Sequence, residues 1–314
     1  MSDLFADRLV EAIESKKSAI CVGIDPMFEM LPDVIAGDPR KRNANDAPAC
    51  IDAIFAFTIK ILQIVSPHVP VVKFQSAFFE KYLWEGVEAY YSLIQEAAEM
   101  NLLVIGDVKR GDIGSTAAAY AAGHLAEPPF DDSELIRLPD AITVNPMLGL
   151  DTIEPFVQTA TEYSKGLFVL VRTSNPGSGE LQDVKLEDGR TWSEMLADKL
   201  NPIALRPALM GDRGFSSISA VVGATQPQMM QSLRKRLSNS FFLLPGYGAQ
   251  GATAEMTRAA FIDGQGAIVS ASRSILYAYR DKKYADTAND WEKCVERAVI
   301  DMRKDIEQIK GAGG

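Results

Sequence analysis

Histidine occurs only twice in the 314 residues and cysteine only three times. With His68 and His124 alone, a Ser-His-Asp triad or a multi-histidine metal site is hard to assemble. His68 lies in the turn-like Ser66-Pro67-His68-Val69-Pro70 and His124 ends an alanine-rich helix, so both read as structural. Cys21, Cys50 and Cys294 are odd in number and form no CxxC, which supports neither a disulfide framework nor a thiolate zinc site. That usage fits a reducing, cytoplasmic compartment. No apolar run approaches the ~18 residues of a membrane span, and the first residues carry Asp3, Asp7, Glu11 and Glu14 instead of a basic leader. The expectation is a soluble, unexported chain. Positive charge is also short: 32 Lys and Arg stand against 42 Asp and Glu, a net charge of −10. This argues against duplex nucleic acid or an anionic membrane as the main partner, while leaving room for a local cationic pocket that takes a small anion.

The chain nonetheless has the means to fold, with 47% hydrophobic and 24% charged residues. Eight short β-rich segments recur: Ala19–Asp25, Val69–Phe74, Leu102–Asp107, Ala141–Asn145, Leu167–Arg172, Ser219–Ala224, Phe241–Pro245 and Ala267–Ser270. Amphipathic stretches separate most of them. Ile51, Ile54, Phe55, Ile59 and Leu62 follow the helical period, as do Val87, Tyr90, Tyr91, Ile94 and Ala98. Pro227 opens another helix that runs to about Asn239 with Leu233 and Leu237 inward, and a last helix spans about Ala288 to Ile309 before a fraying Gly311–Gly314. Strand–helix alternation eight times over predicts an α/β protein, a single (β/α)8 barrel domain over 1–314. Such a barrel needs ~250 residues. The excess falls into loop-like insertions at about 37–48, 127–139 and 177–217.

Charges gather where barrel chemistry sits, at the C-terminal ends of the strands. In Val104-Ile105-Gly106-Asp107-Val108-Lys109-Arg110-Gly111-Asp112, residues i and i+2 of a strand share a face, so Asp107 and Lys109 point the same way. The plainer alternatives are an ordinary ion pair for these two and a helix cap for Asp112. Lys73 is a lone charge in an apolar strand and needs a partner; Asp25 closes the first strand, as a ligand or as a turn former before Pro26. A second group follows strands seven and eight: Pro245-Gly246-Tyr247-Gly248-Ala249-Gln250-Gly251 and Ser270-Ala271-Ser272-Arg273-Ser274. Loops there commonly bind phosphate, with glycine amides approaching the anion and Arg273 supplying a guanidinium fork; a surface ion pair is the alternative for Arg273. Gly246, Gly248 and Gly251 also match the dinucleotide pattern GxGxxG, but only 63 residues follow them, too few for a fold that carries this pattern in its first βα turn.

Taken together, Asp107-x-Lys109-x-x-Asp112-Ile113 with Thr116, the strand-two lysine, Pro-Gly-x-Gly-x-Gln-Gly and Ser-Arg-Ser-Ile resemble the orotidine 5′-phosphate decarboxylase family, in its longer bacterial branch. The resemblance implies decarboxylation of orotidine 5′-monophosphate to UMP and CO2 in pyrimidine biosynthesis, without cofactor or metal. It implies a catalytic array of Lys73, Asp107, Lys109 and Asp112, the last offered across a homodimer interface together with Ile113 and Thr116. Asp25 and Lys73 would hold the ribose hydroxyls, Ser174 the pyrimidine, and Gln250 would bridge base and phosphate. Arg273, with Gly248 and Ser272 beside it, would hold the phosphate. Three features depart from the pattern: Arg110 after the lysine, Thr143-Val144-Asn145-Pro146 in place of a histidine-containing fourth strand, and the length of 177–217. Two rival readings are a Mg²⁺-dependent sugar-phosphate decarboxylase or aldolase, with carboxylates as metal ligands, and a non-catalytic nucleotide-phosphate-binding barrel.

Overall fold

In the computed structural model, which describes residues 3–38, 40–128, 130, 136–248, 251–287 and 290–310, eight parallel strands close into a barrel. They are β1 (Ile20–Ile24), β2 (Val71–Gln75), β3 (Leu103–Arg110), β4 (Ala141–Val144), β5 (Gly166–Arg172), β6 (Ser216–Val222), β7 (Ser240–Pro245) and β8 (Ala267–Ala271). Each pairs with the next, and Ile20 against Val269 closes the ring between β1 and β8. The strands are almost wholly buried because helices cover them outside and side chains fill them inside, which is why they read as continuous apolar runs. All eight expected segments are strands, and the (β/α)8 class stands.

Differences lie in the connections. The stretch 177–217 holds the barrel helix Trp192–Ala204, opened by a Thr191/Glu194 capping box, and Ser216 already belongs to β6. The excess chain is therefore the shorter run of turns before that helix, including the short helix Gly179–Gln182. In the 37–48 region, the Arg42 guanidinium ties the loop down by donating to the carbonyls of Phe28, Glu29, Leu31 and Gly37. Residues 129 and 131–135 of the 127–139 region, and Gly311–Gly314, lie outside the described residues. The Pro227 helix ends at Arg236, and the last helix runs Trp291–Lys310.

One sequence expectation needs correction. The helix Ala47–Val65 is 19 residues long and apolar enough to cross a membrane by composition. Its place explains the apolarity: Phe57 lies 6.2 Å from the ring of Tyr277 and 5.4 Å from that of Trp291, inside the helix layer. Its buried stripe is Cys50, Ile51, Ile54, Phe57, Thr58, Ile61, Leu62 and Val65, so Phe55 and Ile59 sit at its flank.

The helix Phe5–Lys16 closes the N-terminal end of the barrel. Asp7 accepts the backbone N–H groups of Asp212 and Arg213 ahead of β6, and Arg8 pairs with buried Asp140 ahead of β4 at 2.6 Å. Phe5 enters the barrel floor edge-on to Phe168, and only a glycine at 166 leaves it room, since a Cβ there would stand 2.2 Å from Phe5 Cδ1. Gly166→Ala is therefore expected to cost about 1–3 kcal/mol through overpacking. The measurement is the urea midpoint; an unchanged midpoint would show that Phe5 yields without strain.

Candidate active site

At the opposite end, a cavity of about 440 Å³ opens among the C-terminal ends of the strands, with every strand contributing to its wall. Five charged side chains line it: Asp25, Lys73, Asp107, Lys109 and Arg273. Two carboxylates against three cations leave one net positive charge on a chain that carries −10 overall. The acidic protein thus keeps a local site suited to an anion.

Asp107 is the centre of this group. It is 6% exposed, and its two oxygens receive four donors. Oδ1 accepts from Lys109 Nζ at 2.6 Å and Thr143 Oγ1 at 2.9 Å; Oδ2 accepts from Lys73 Nζ at 2.7 Å and Gln75 Nε2 at 2.9 Å. Burial pushes the Asp107 carboxyl up, but the two ammonium groups outweigh it and hold the group well below the usual carboxylate range. Burial likewise pushes Lys73 down, and the carboxylates of Asp107 and Asp25 more than reverse that, holding it above ordinary lysine. A buried charge with saturated hydrogen bonding is the arrangement in which such an ion cluster is tolerated.

Lys109 reaches Asp107 by a different route from simple alternation. The β3–β4 register shifts between Gly106 and Arg110, a bulge, and Lys109 itself sits at φ 45°. A left-handed lysine costs roughly 1–2 kcal/mol, and bulges re-aim side chains at the rims of barrels. Thr143 holds the distortion from within, since its Oγ1 accepts the Lys109 backbone N–H at 2.9 Å while donating to Asp107. Arg110 braces it from outside: the guanidinium pairs with Glu80 at 2.6 Å, bonds the Val108 carbonyl and lies over the Tyr120 ring.

The other expected residues divide. Asp25, Ser174, Ser272 and Arg273 line the cavity. Asp25 Oδ1 is buried without a hydrogen-bond partner, an acceptor left open beside Lys73, and no cap or turn bond occupies it. Ser272 stands over Gly23, where any Cβ would collide with its Oγ. Among the described residues Arg273 makes no ion pair, so the surface-pair alternative does not describe it. Gly248 is not among the residues lining the cavity, and its N–H is bonded to the Ala252 carbonyl at 3.0 Å, so that amide is not free for an anion. Gln250 lies outside the described residues. No long helix follows the glycines, only Ala254–Thr257, which removes the dinucleotide reading.

Asp112, Ile113 and Thr116 do not reach this cavity. Asp112 does not cap the Gly114–Leu125 helix; among the described residues its carboxylate accepts only the neighbouring Ile113 N–H, and Ile113 is 62% exposed. Neither histidine lines the cavity; burial pushes His124 down to about 4, leaving a neutral imidazole. Two residues were missed. Gln75 shares a strand face with Lys73, a spacing that points to it, whereas Thr143 was noted only as a departure from the family pattern.

The Asp107 cluster makes a pH prediction. In the unfolded chain an aspartate titrates near ~3.9, above its folded value, so its contribution to stability is full above about pH 5 and is lost as pH falls below 4. Urea unfolding between pH 5 and 2.5 should show a steeper loss of stability for the wild type than for Lys73→Met, where Asp107 has lost one of its two cations. Equal slopes would show that Lys73 does not depress Asp107.

Comparison with known proteins agrees with this geometry. Residues 18–288 match the model of the orotidine 5′-phosphate decarboxylase / HUMPS family. The orotidine 5′-phosphate decarboxylase of Rhodopirellula baltica is 39% identical over 310 residues, covering 98% of this chain and 99% of that protein. That of Caldicellulosiruptor bescii is 39% identical over 285 residues, covering 90% and 92%. The structure of Leishmania donovani OMP decarboxylase superimposes with a TM-score of 0.73 at 27% identity, covering 99% of this chain and 100% of that one. By family model and by near full-length relatives, this chain belongs to the orotidine 5′-phosphate decarboxylase family.

Proposed function

We propose that the chain converts orotidine 5′-monophosphate to UMP and CO2, with Lys73, Asp107, Lys109 and Asp112 as its catalytic charges. The observation that carries this reading is a buried carboxylate gripped by two ammonium groups at the mouth of a barrel. As the bond from C6 to the carboxylate breaks, the electron pair stays on C6, where the ring offers little delocalisation. Lys109 stabilises that charge through its fixed ammonium and then transfers a proton to C6, recovering it from solvent. Asp107 faces the departing carboxylate. The open Asp25 acceptor and Lys73 suit the ribose hydroxyls, Ser174 the pyrimidine, Arg273 with Ser272 the phosphate, and Gln250 bridges base and phosphate. Binding of the remote phosphate supplies energy that is expressed at C6. The magnesium rival is disfavoured because the lone pairs of Asp107 are committed to lysine, amide and hydroxyl donors. A mere phosphate binder has no use for that cluster. We further propose a single-domain, cytoplasmic enzyme acting as a homodimer, supported by the exposed Ile113, Met147 and Leu148 on the rim that carries Asp112.

Turnover should be followed as loss of orotidine 5′-monophosphate absorbance with EDTA present, and it is expected to persist. Activity that vanishes and returns with Mg²⁺ would transfer the chain to the sugar-phosphate rival. Arg273→Ala should cost roughly 2–5 kcal/mol on the nucleotide and little on orotidine, which lacks the phosphate. An equal loss on both would make Arg273 structural.

Asp112 tests the shared site. Asp112→Ala should lower kcat by about 10²-fold or more, as for preorganised electrostatic groups, while changing stability by under about 1 kcal/mol. Mixing it with inactive Lys109→Ala should create heterodimers with one intact site and restore up to half the activity per heterodimer. Confirmed subunit exchange without recovered activity would show that Asp112 serves its own chain.

A further inference from the structure

The excess chain after β5 ends in a double grip on the cavity wall. Arg172, the last residue of β5, is 2% exposed and donates to both Asp183 oxygens at 2.9 and 2.8 Å, to the Thr173 carbonyl at 2.6 Å and to Ser178. This bidentate pair pins the short helix Gly179–Gln182 against the barrel rim. From that helix Gln182 reaches back to Thr173: its Oε1 accepts the Thr173 N–H at 2.8 Å and its Nε2 donates to Thr173 Oγ1 at 3.0 Å. Thr173 Oγ1 in turn donates to Asn175 Oδ1 at 2.6 Å. Ser174 lies between these two clamped residues. Its other side rests on Gly223, where a Cβ would come within 3.1 Å of Ser174 Cα and Cβ. Everything around Ser174 is bonded, yet among the described residues no hydrogen bond takes up its own N–H or hydroxyl, and it lines the cavity.

We infer that Gln182 is a positioning residue for recognition of the base: its amide fixes the Thr173–Asn175 turn so that the Ser174 hydroxyl is presented to the pyrimidine. The edge of that base carries an imide N–H beside a carbonyl, and a hydroxyl can accept from the first or donate to the second. The inference rests on the reading of Ser174 as the pyrimidine contact, and it gives the chain between β5 and its helix a task that barrel closure does not. A site loosened by ~1 Å through a residue that touches no substrate can lose up to about 10²-fold in rate.

The test is a double-mutant cycle on kcat and KM for orotidine 5′-monophosphate, with melting temperatures alongside. Ser174→Ala and Gln182→Ala should each lower kcat/KM by roughly tenfold, and the double variant should be no worse than Ser174→Ala alone, because the clamp then has nothing to aim. Gln182→Glu, which retains an acceptor for the Thr173 N–H, should recover most of the loss. Thr173→Val removes the hydroxyl that bonds the Gln182 amide while keeping the Thr173 N–H, and should show a smaller loss, about threefold, that is likewise absent in the Ser174→Ala background; it serves if Gln182→Ala does not fold. Wild-type turnover by Ser174→Ala would overturn the base contact and the inference together. A damaged Ser174→Ala beside an unaffected Gln182→Ala, or penalties that multiply in the double variant, would overturn the inference and leave the Ser174 contact standing.

Discussion

One carboxylate organises the upper half of this barrel. Asp107 is buried, and an isolated carboxylate in that position would be driven to neutralise. It stays ionised because β2 brings Lys73 and Gln75, β3 returns Lys109, and β4 supplies Thr143. Three adjacent strands must keep their register for those four donors to converge. The ion cluster and the barrel therefore depend on each other: the sheet places the charges, and the charges penalise any slip of the sheet.

The cluster also accounts for where backbone strain is held. Lys109 occupies the left-handed region although it is neither glycine nor asparagine, and it does so at a bulge in β3. A regular β3 would carry its ladder on toward β4; the bulge instead frees Thr143 Oγ1 to bond the Lys109 backbone and the Asp107 carboxylate at once. The pair Arg110–Glu80 holds the far side, which gives the basic residue after the lysine a mechanical part. Strain concentrated at one residue and over-determined by its neighbours is the pattern expected of a preorganised site.

Much of this is legible in the sequence, and what is not has physical causes. Strands buried on both faces announce themselves as apolar runs, so all eight were found, and the charges ending them marked the working face. Periodicity shifts the edge of the buried stripe of Ala47–Val65 because apolar residues continue past it: Phe55 and Ile59 are half-buried against the core, while Asp52, Lys60 and Gln63 mark the solvent side. It misjudged 177–217 because Pro202 and a dense mix of charges obscure the helix Trp192–Ala204. The bulge at Lys109 was invisible since alternation predicts the same neighbour by a different path. Asp112, Ile113 and Thr116 stand apart from both: none of their side chains caps the helix, and none lines the cavity of its own chain.

The three cations of the cavity differ in kind, and the difference matches their places. Lys73 and Lys109 are compact ammonium groups on flexible stems, within 2.7 Å of single carboxylate oxygens, and the proposed function gives Lys109 the proton transfer. Arg273 stands at the start of the helix after β8, exposed and outside any ion pair among the described residues. A guanidinium cannot serve as a proton donor near neutral pH, but its planar fork fits two oxygens of one anion. Exchanging the two residue types would leave the net charge of the cavity unchanged and defeat both ends of it. Under the proposed function, the distribution of lysine and arginine, more than the total of positive charge, would orient the substrate with its reacting carbon toward β3 and its phosphate toward β8.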